Sequence, residues 1–98
     1  MPRPKKPRHC GCTAKGSVFK PTGTPLYKLK QIRLQRDELE VLRLCDWDGL
    51  VQEQAGSRMG VSRGTVQRLL ASARKKMAQA LVEGAAIVLE EMEEKLDR

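Results

Sequence analysis

Residues 62 to 68, SRGTVQR, bring two guanidinium groups, one amide and two hydroxyls within a single short stretch. An Arg can fork onto O6 and N7 of guanine and a Gln can pair with N6 and N7 of adenine, each contact discriminating by about 1 to 3 kcal/mol. A second cluster, HCGC, gathers His9, Cys10 and Cys12, which are zinc or iron ligand types. A structural zinc site takes four ligands, usually as two pairs separated by a loop, and only one cluster is present. No cofactor is therefore expected, and a zinc or iron site shared between two chains, or a redox-responsive thiol pair, is the alternative. The third cysteine, Cys45, falls in an apolar stripe and reads as a small buried hydrophobe. The single His lies near the N-terminus, the acids fall on helix faces or in the tail, and no Gly-rich loop is followed by Lys. The pattern is that of a protein without an enzymatic site.

The elements that must position SRGTVQR follow from capping and periodicity. Ser62 is a good N-cap, and Val66, Leu69, Leu70, Ala73 and Met77 recur on one helical face, so this helix should run to about Val82, with Gly84 ending or kinking it. Its outward set is then Arg63, Gly64, Thr65, Gln67 and Arg68, with Ser72 one turn further. A preceding helix from about Val51 to Met59 has Ala55 and Met59 on one face and is closed by Gly60. Gly56, Gly60 and Val61 occupy the three places that a tight turn between two helices requires: a small residue at the crossing, a left-handed residue in the turn, and an apolar plug after it. A mid-helix Gly costs about 1 kcal/mol relative to Ala, and close approach of the third helix would offset it. Ahead of this pair, DELEVLRLCDW from Asp37 forms a helix whose stripe is Leu39, Leu42 and Cys45, with Val41 and Leu44 beside it; Asp48-Gly49 stops it.

In a helix-turn-helix the N-terminal half of the second helix enters the major groove. That geometry makes Arg63, Thr65, Gln67 and Arg68 the base-reading residues. Ser62, Gly64, Ser72, Arg74, Lys75 and Lys76 would contact phosphates, Gly64 by letting backbone N–H groups approach.

The chain of 98 residues is one domain, rich in Leu, Val and Ala and poor in aromatics, which predicts a mainly α fold. We divide it into a flexible basic arm (1–18), an ordered connector or short strand (19–36), a helix-turn-helix domain (37–82) and an acidic amphipathic tail (83–98). The formal charge of +7 is unevenly spread: residues 1–36 carry ten Lys/Arg and no acid, whereas residues 83–98 carry six acids and two bases. A basic arm before a balanced domain suits a polyanion, each neutralised phosphate releasing counterions, although a solvated arm has the same composition. Arg3, Lys5, Lys6 and Arg8 in PRPKKPR would track phosphates or lie in a minor groove. Ala85, Val88 or Leu89, Met92 and Leu96 give the tail a helical spacing, yet its first five residues would also pass as a short buried strand. No apolar run approaches membrane-spanning length and no hydrophobic stretch follows the N-terminal basic residues, so a cytoplasmic protein is expected.

The stretch EVLRL…DGL…EQAGSRMGVSRGTVQRLLASARKKM resembles the fourth region of bacterial sigma factors and related regulators. The segments MPRPKKPR, FKPTGTPL, DELEVLRL, DGL, RMGVSRGT, SARKK and ALVEG resemble still more closely a family of small prokaryotic proteins of unassigned function, uncharacterised family 0251 or domain of unknown function 134. The resemblance implies a sigma region 4-like helix-turn-helix and a predicted DNA-binding role. Val51 departs from the usual Ser or Thr cap of the second helix, and Gly56 from the usual Ala; Gly64 and Gln67 fall where the exposed face often holds other residues. The resulting expectation is a sequence-specific DNA-binding protein, a small transcriptional regulator acting on double-stranded DNA. One short reading helix buries little surface, so a homodimer on a two-fold site is expected, with Ala85 to Leu96 as its interface. The alternatives are an interaction adaptor of the transcription apparatus contacting RNA polymerase, and a metal- or redox-sensing module built on HCGC.

Overall fold

The computed structural model describes residues 17–89. The arm residues Arg3, Lys5, Lys6 and Arg8, the His9, Cys10 and Cys12 cluster, and Met92 and Leu96 of the tail lie outside the described residues.

Local chemistry sets the helices. Gln35 is extended at the head of α1 (Arg36–Val41), and the Glu38 carboxylate reaches back to accept from the Gln35 amide at 2.8 Å, meeting one of the donors a helix start leaves unpaired. Beyond Val41 the helix widens into a π-helical stretch, Leu42–Trp47, and the Asp48 N–H donates to the Arg43 carbonyl five residues back at 2.8 Å. Gly49, at φ 81°, turns the chain, and the Leu50 amide bonds back to the Leu44 carbonyl at 2.9 Å.

Helix α2 (Gln52–Met59) starts from Val51, whose side chain cannot cap; Gln54 Oε1 accepts from the Val51 amide at 3.1 Å instead. It ends at Gly60, φ 74°, with the Val61 amide donating to the Gly56 carbonyl at 2.9 Å, a Schellman closure. Helix α3 (Arg63–Glu83) is capped by Ser62, whose hydroxyl accepts from the Thr65 amide at 3.2 Å, and stops at Gly84, φ 70°. Its 21 residues span about 31 Å.

A three-stranded sheet joins the segments on either side of the helices. β1 (Val18–Phe19) and β2 (Gln31–Leu34) flank β3 (Ala86–Leu89), β1 antiparallel and β2 parallel to it. Ile32 and Leu34 alternate with exposed Gln31 and Arg33, so β2 buries one face against the helices, whereas β3 is buried along most of its length as a central strand. The fold is thus mainly α with a small sheet, and of the two readings left open for the segment from Ala85, amphipathic helix or short buried strand, β3 is the strand. Gly84 breaks the helix, and the apolar run AIVL has no polar position with which to build a solvated helix face. Ala85, Ala86, Ile87 and Leu89 are buried within the fold and are not exposed for the dimer contact expected of them.

The core lies between α1, α3 and the sheet. Val41, Leu44 and Ala55 are fully buried, and so are Val66 and Ala73, as expected for the inner face of α3, while Leu69 and Met77 are only partly covered. Across α1 and the π-helical stretch the centre of the buried face is Val41 and Leu44; Leu39, Leu42 and Cys45, taken from the sequence as the stripe, lie at its margins. The cause is Glu38, which is held by α3 and turns that flank of the helix inward. Val61 is 37% exposed and only partly plugs the turn.

A Cβ on Gly56 would sit 2.7 Å from the Val61 carbonyl oxygen, and one on Gly64 would meet nothing nearer than 3.9 Å. The close approach at Gly56 is therefore made first by the turn backbone and only then by α3, through Val66 Cγ2 at 3.5 Å. We expect Gly56→Ala to be destabilising, because a steric cost of about 1 to 3 kcal/mol exceeds the roughly 1 kcal/mol of helix propensity gained. Gly64→Ala should stabilise by roughly 0.5 to 1 kcal/mol. Urea midpoints moving in opposite directions would bear this out; a Gly56→Ala protein as stable as the parent would contradict it.

Candidate nucleic-acid interface

The charges of the helical region are segregated. Residues 37–53 hold six Asp/Glu and one Arg, whereas residues 54–82 hold six Lys/Arg and no acid. Helix α3 carries five of those six cations, and its two ends have different surroundings: the C-terminal end feeds β3, while the N-terminal turns follow the Gly60 turn.

In those first turns Arg63, Gly64, Gln67 and Arg68 are exposed. Thr65, expected to face outward with them, is half-buried and serves the cap. Its Oγ1 lies 3.0 Å from Ser62 Oγ and accepts from an Arg68 guanidinium N–H at 3.3 Å. Ser62, Thr65 and Arg68 thus form a chain that orients one guanidinium along the helix start.

Further along α3 the side chains assigned to phosphate contact divide. With 3.6 residues per turn, Ser72 and Lys76 fall on one flank of the buried stripe and Arg74 on the other. Ser72 Oγ donates to Glu38 Oε2 at 2.5 Å, and Lys76 Nζ donates to Glu38 Oε1 at 2.7 Å and to the Arg33 carbonyl at 2.7 Å. These two residues therefore hold α3 to α1 and β2, which corrects the outward placement expected of Ser72. On the opposite flank Arg74 forks onto Asp46 at 2.6 and 3.1 Å. Lys75 is exposed on the outer face between them.

Glu38 was not singled out in the sequence, although its place three residues after Gln35 marks a capping position. It is 2% exposed. Burial pushes its carboxyl up, but the hydrogen bonds from Lys76, Ser72 and the Gln35 amide, with the charge of Lys76, together outweigh burial and hold it below its ordinary value of 4.5. Asp46 is likewise held below its ordinary range by the Arg74 guanidinium. Burial, reinforced by the Asp46 charge, pushes the Cys45 thiol up, consistent with an inert packed cysteine. Among the described residues no group of three or more His, Cys, Asp or Glu could hold a metal, and no helix is long and apolar enough to cross a membrane.

The family described as Protein of unknown function DUF134 matches residues 1–97. The chain belongs to the DUF134 family. A UPF0251 protein of Vibrio vulnificus (strain CMCP6) is 52% identical over 89 residues, covering 91% of this chain and 89% of the relative. A UPF0251 protein of Shewanella pealeana is 46% identical over 95 residues, covering 97% and 99% respectively. A UPF0251 protein of Desulforudis audaxviator is 49% identical over 92% of this chain but 59% of its own length. No solved structure matches the chain.

The Glu38 clamp gives this DUF134 protein a defined acid response. A carboxylate whose value is lowered in the folded state contributes stability above its unfolded value, and that contribution disappears as pH falls through the lowered folded value. Lys76→Met leaves the buried carboxylate without its cation and should cost roughly 3 kcal/mol at neutral pH, the low end for a broken buried pair because Lys76 is 27% exposed. Acid unfolding, followed by circular dichroism, should move to higher pH in the variant. An unchanged acid limb would show that the ion pair is not coupled to folding.

Proposed function

We propose that this protein is a sequence-specific DNA-binding protein, a small transcriptional regulator whose α2–turn–α3 unit works as a helix-turn-helix. The observation that carries the reading is the acid-free stretch of α3 from Arg63 to Val82, with Arg63, Gly64, Gln67 and Arg68 exposed in the turns immediately after the Gly60 turn. A major groove admits one helix, and these side chains are the ones that can meet base edges there. The sequence resemblance of this stretch to sigma factor region 4 supports the same reading.

On this reading the roles divide further. Arg63 and Gln67 are the principal readers, and Arg68, oriented by Thr65, is the third. Thr65 itself acts through the cap. Gly64 fills no steric need of the fold, so the helix propensity it forgoes is accounted for by the close approach of backbone N–H groups to a phosphate. Lys75 is the phosphate contact of the middle of α3, and Arg3, Lys5, Lys6 and Arg8 of the basic arm add further ones. Arg74 reaches a phosphate only by leaving Asp46. A homodimer on a two-fold site is retained, with an interface away from the buried β3.

Binding to duplex should weaken steeply as salt rises, following counterion release. In selection from a random duplex library, Arg63→Ala should relax preference at one position, a loss of about 1 to 3 kcal/mol, whereas Lys75→Ala should weaken all sequences alike and flatten the salt dependence by about one unit of slope. Absence of binding at low salt would contradict the proposal; equal behaviour of the two variants would contradict the division between readers and positioners.

A further inference from the structure

Where α1 passes into α2 the molecule exposes apolar side chains that its own described residues leave uncovered. Trp47, at the end of the π-helical stretch, is 84% exposed, and Val51, at the head of α2, is 60% exposed. An indole left in water is unusual, since a Trp contributes 150 to 250 Å² of apolar surface when covered. The tight turn between them, closed by the Leu50 amide on Leu44, sets both on one corner. The surrounding side chains are acidic: Glu40, Asp46 and Asp48, with Glu53 in the first turn of α2. Arg43 answers Glu40 and Asp48, and Arg74 answers Asp46, so four carboxylates stand against two guanidiniums. Such a corner is unsuited to a phosphate backbone and suited to a cationic segment with flat apolar rings.

We propose that the Trp47–Val51 corner is a docking surface for this chain's own N-terminal segment, residues 1–16, whose prolines at 2, 4 and 7 lie against the indole while Lys and Arg meet the acidic rim. Proline-rich basic segments bind aromatic surfaces in this way because their restricted backbone loses little entropy on docking. Charge is complementary: residues 1–16 carry five Lys/Arg and no acid. Reach is sufficient. The Leu89 amide bonds the Ser17 carbonyl at 3.0 Å, and Leu89 pairs with Leu34, so the segment departs two strand spacings, about 10 Å, from the start of α1. The α1 and π-helical residues add about 18 Å to Trp47. The thirteen residue-to-residue steps from Pro4 to Ser17 extend up to about 43 Å, so Pro4 reaches the indole with slack.

One consequence rests on the DNA-binding reading: cations held at the corner are withheld from phosphate, so docking and DNA contact compete. The docking itself does not need that reading, and its test uses no DNA. Trp47 is the single Trp of the chain, so its fluorescence reports the corner alone. Acrylamide quenching is compared in the full chain and in a full-length variant carrying Pro4→Ser, Lys5→Ser, Lys6→Ser and Pro7→Ser. The parent at low salt should have a quenching constant no more than half that of the variant, and about 0.5 M salt should bring the parent up to it by screening. A synthetic peptide of residues 1–16 should restore protection to the variant. Equal quenching of parent and variant at low salt would overturn the proposal. Protection that grows with protein concentration would overturn it too, by moving the occupant to a second copy.

Discussion

The buried carboxylate of Glu38 is the constraint on which the rest of the arrangement depends. An ion removed from water must be repaid by partners at close range, and the partners here come from two other elements: Ser72 and Lys76 of α3, with Lys76 also reaching the Arg33 carbonyl of β2. Apolar packing between α1 and α3 through Val41, Leu44 and Ala73 is strong but nearly indifferent to small rotations of α3 about its axis. The carboxylate is not. Its bonds, with the Arg74 and Asp46 fork on the opposite flank, fix which face of α3 turns outward.

That fixed rotation decides what the N-terminal turns present. α3 is held at its middle by the two polar contacts and at its C-terminal end by passage through Gly84 into the central strand β3. The far end is set by the turn, where Gly56 admits the Val61 carbonyl and Gly60 takes the left-handed conformation. Arg63, Gly64, Gln67 and Arg68 are thus displayed by a rod anchored elsewhere, the condition for side chains to meet a rigid partner without losing much freedom on contact.

The parts legible in the sequence were those governed by neighbours in the chain. The Ser62 cap, the glycine stops at 60 and 84, and the inner face of α3 follow from residues within a few positions of one another, and their boundaries matched to within a residue or two. The sheet was harder to see because β1 has two residues and β2 and β3 four each, and their partners lie at opposite ends of the described chain. The roles of Ser72 and Lys76 were hidden for a related reason. On a helical wheel both read as solvent-facing polar residues of a basic helix, and only the position of Glu38 across the α1 crossing turns them inward. Thr65 escaped similarly, since a hydroxyl one turn from a capping Ser has two destinations and the wheel shows one.

The central claim is that the first turns of α3 form the contact surface for duplex DNA, and amide chemical-shift mapping tests it most directly. On adding a library-selected duplex at low salt to isotopically labelled protein, the account predicts that the largest shifts fall on the amides of Ser62 to Arg68. The β3 amides should change little. Shifts concentrated on the sheet or on the Trp47 corner, with the first turns of α3 unmoved, would contradict it.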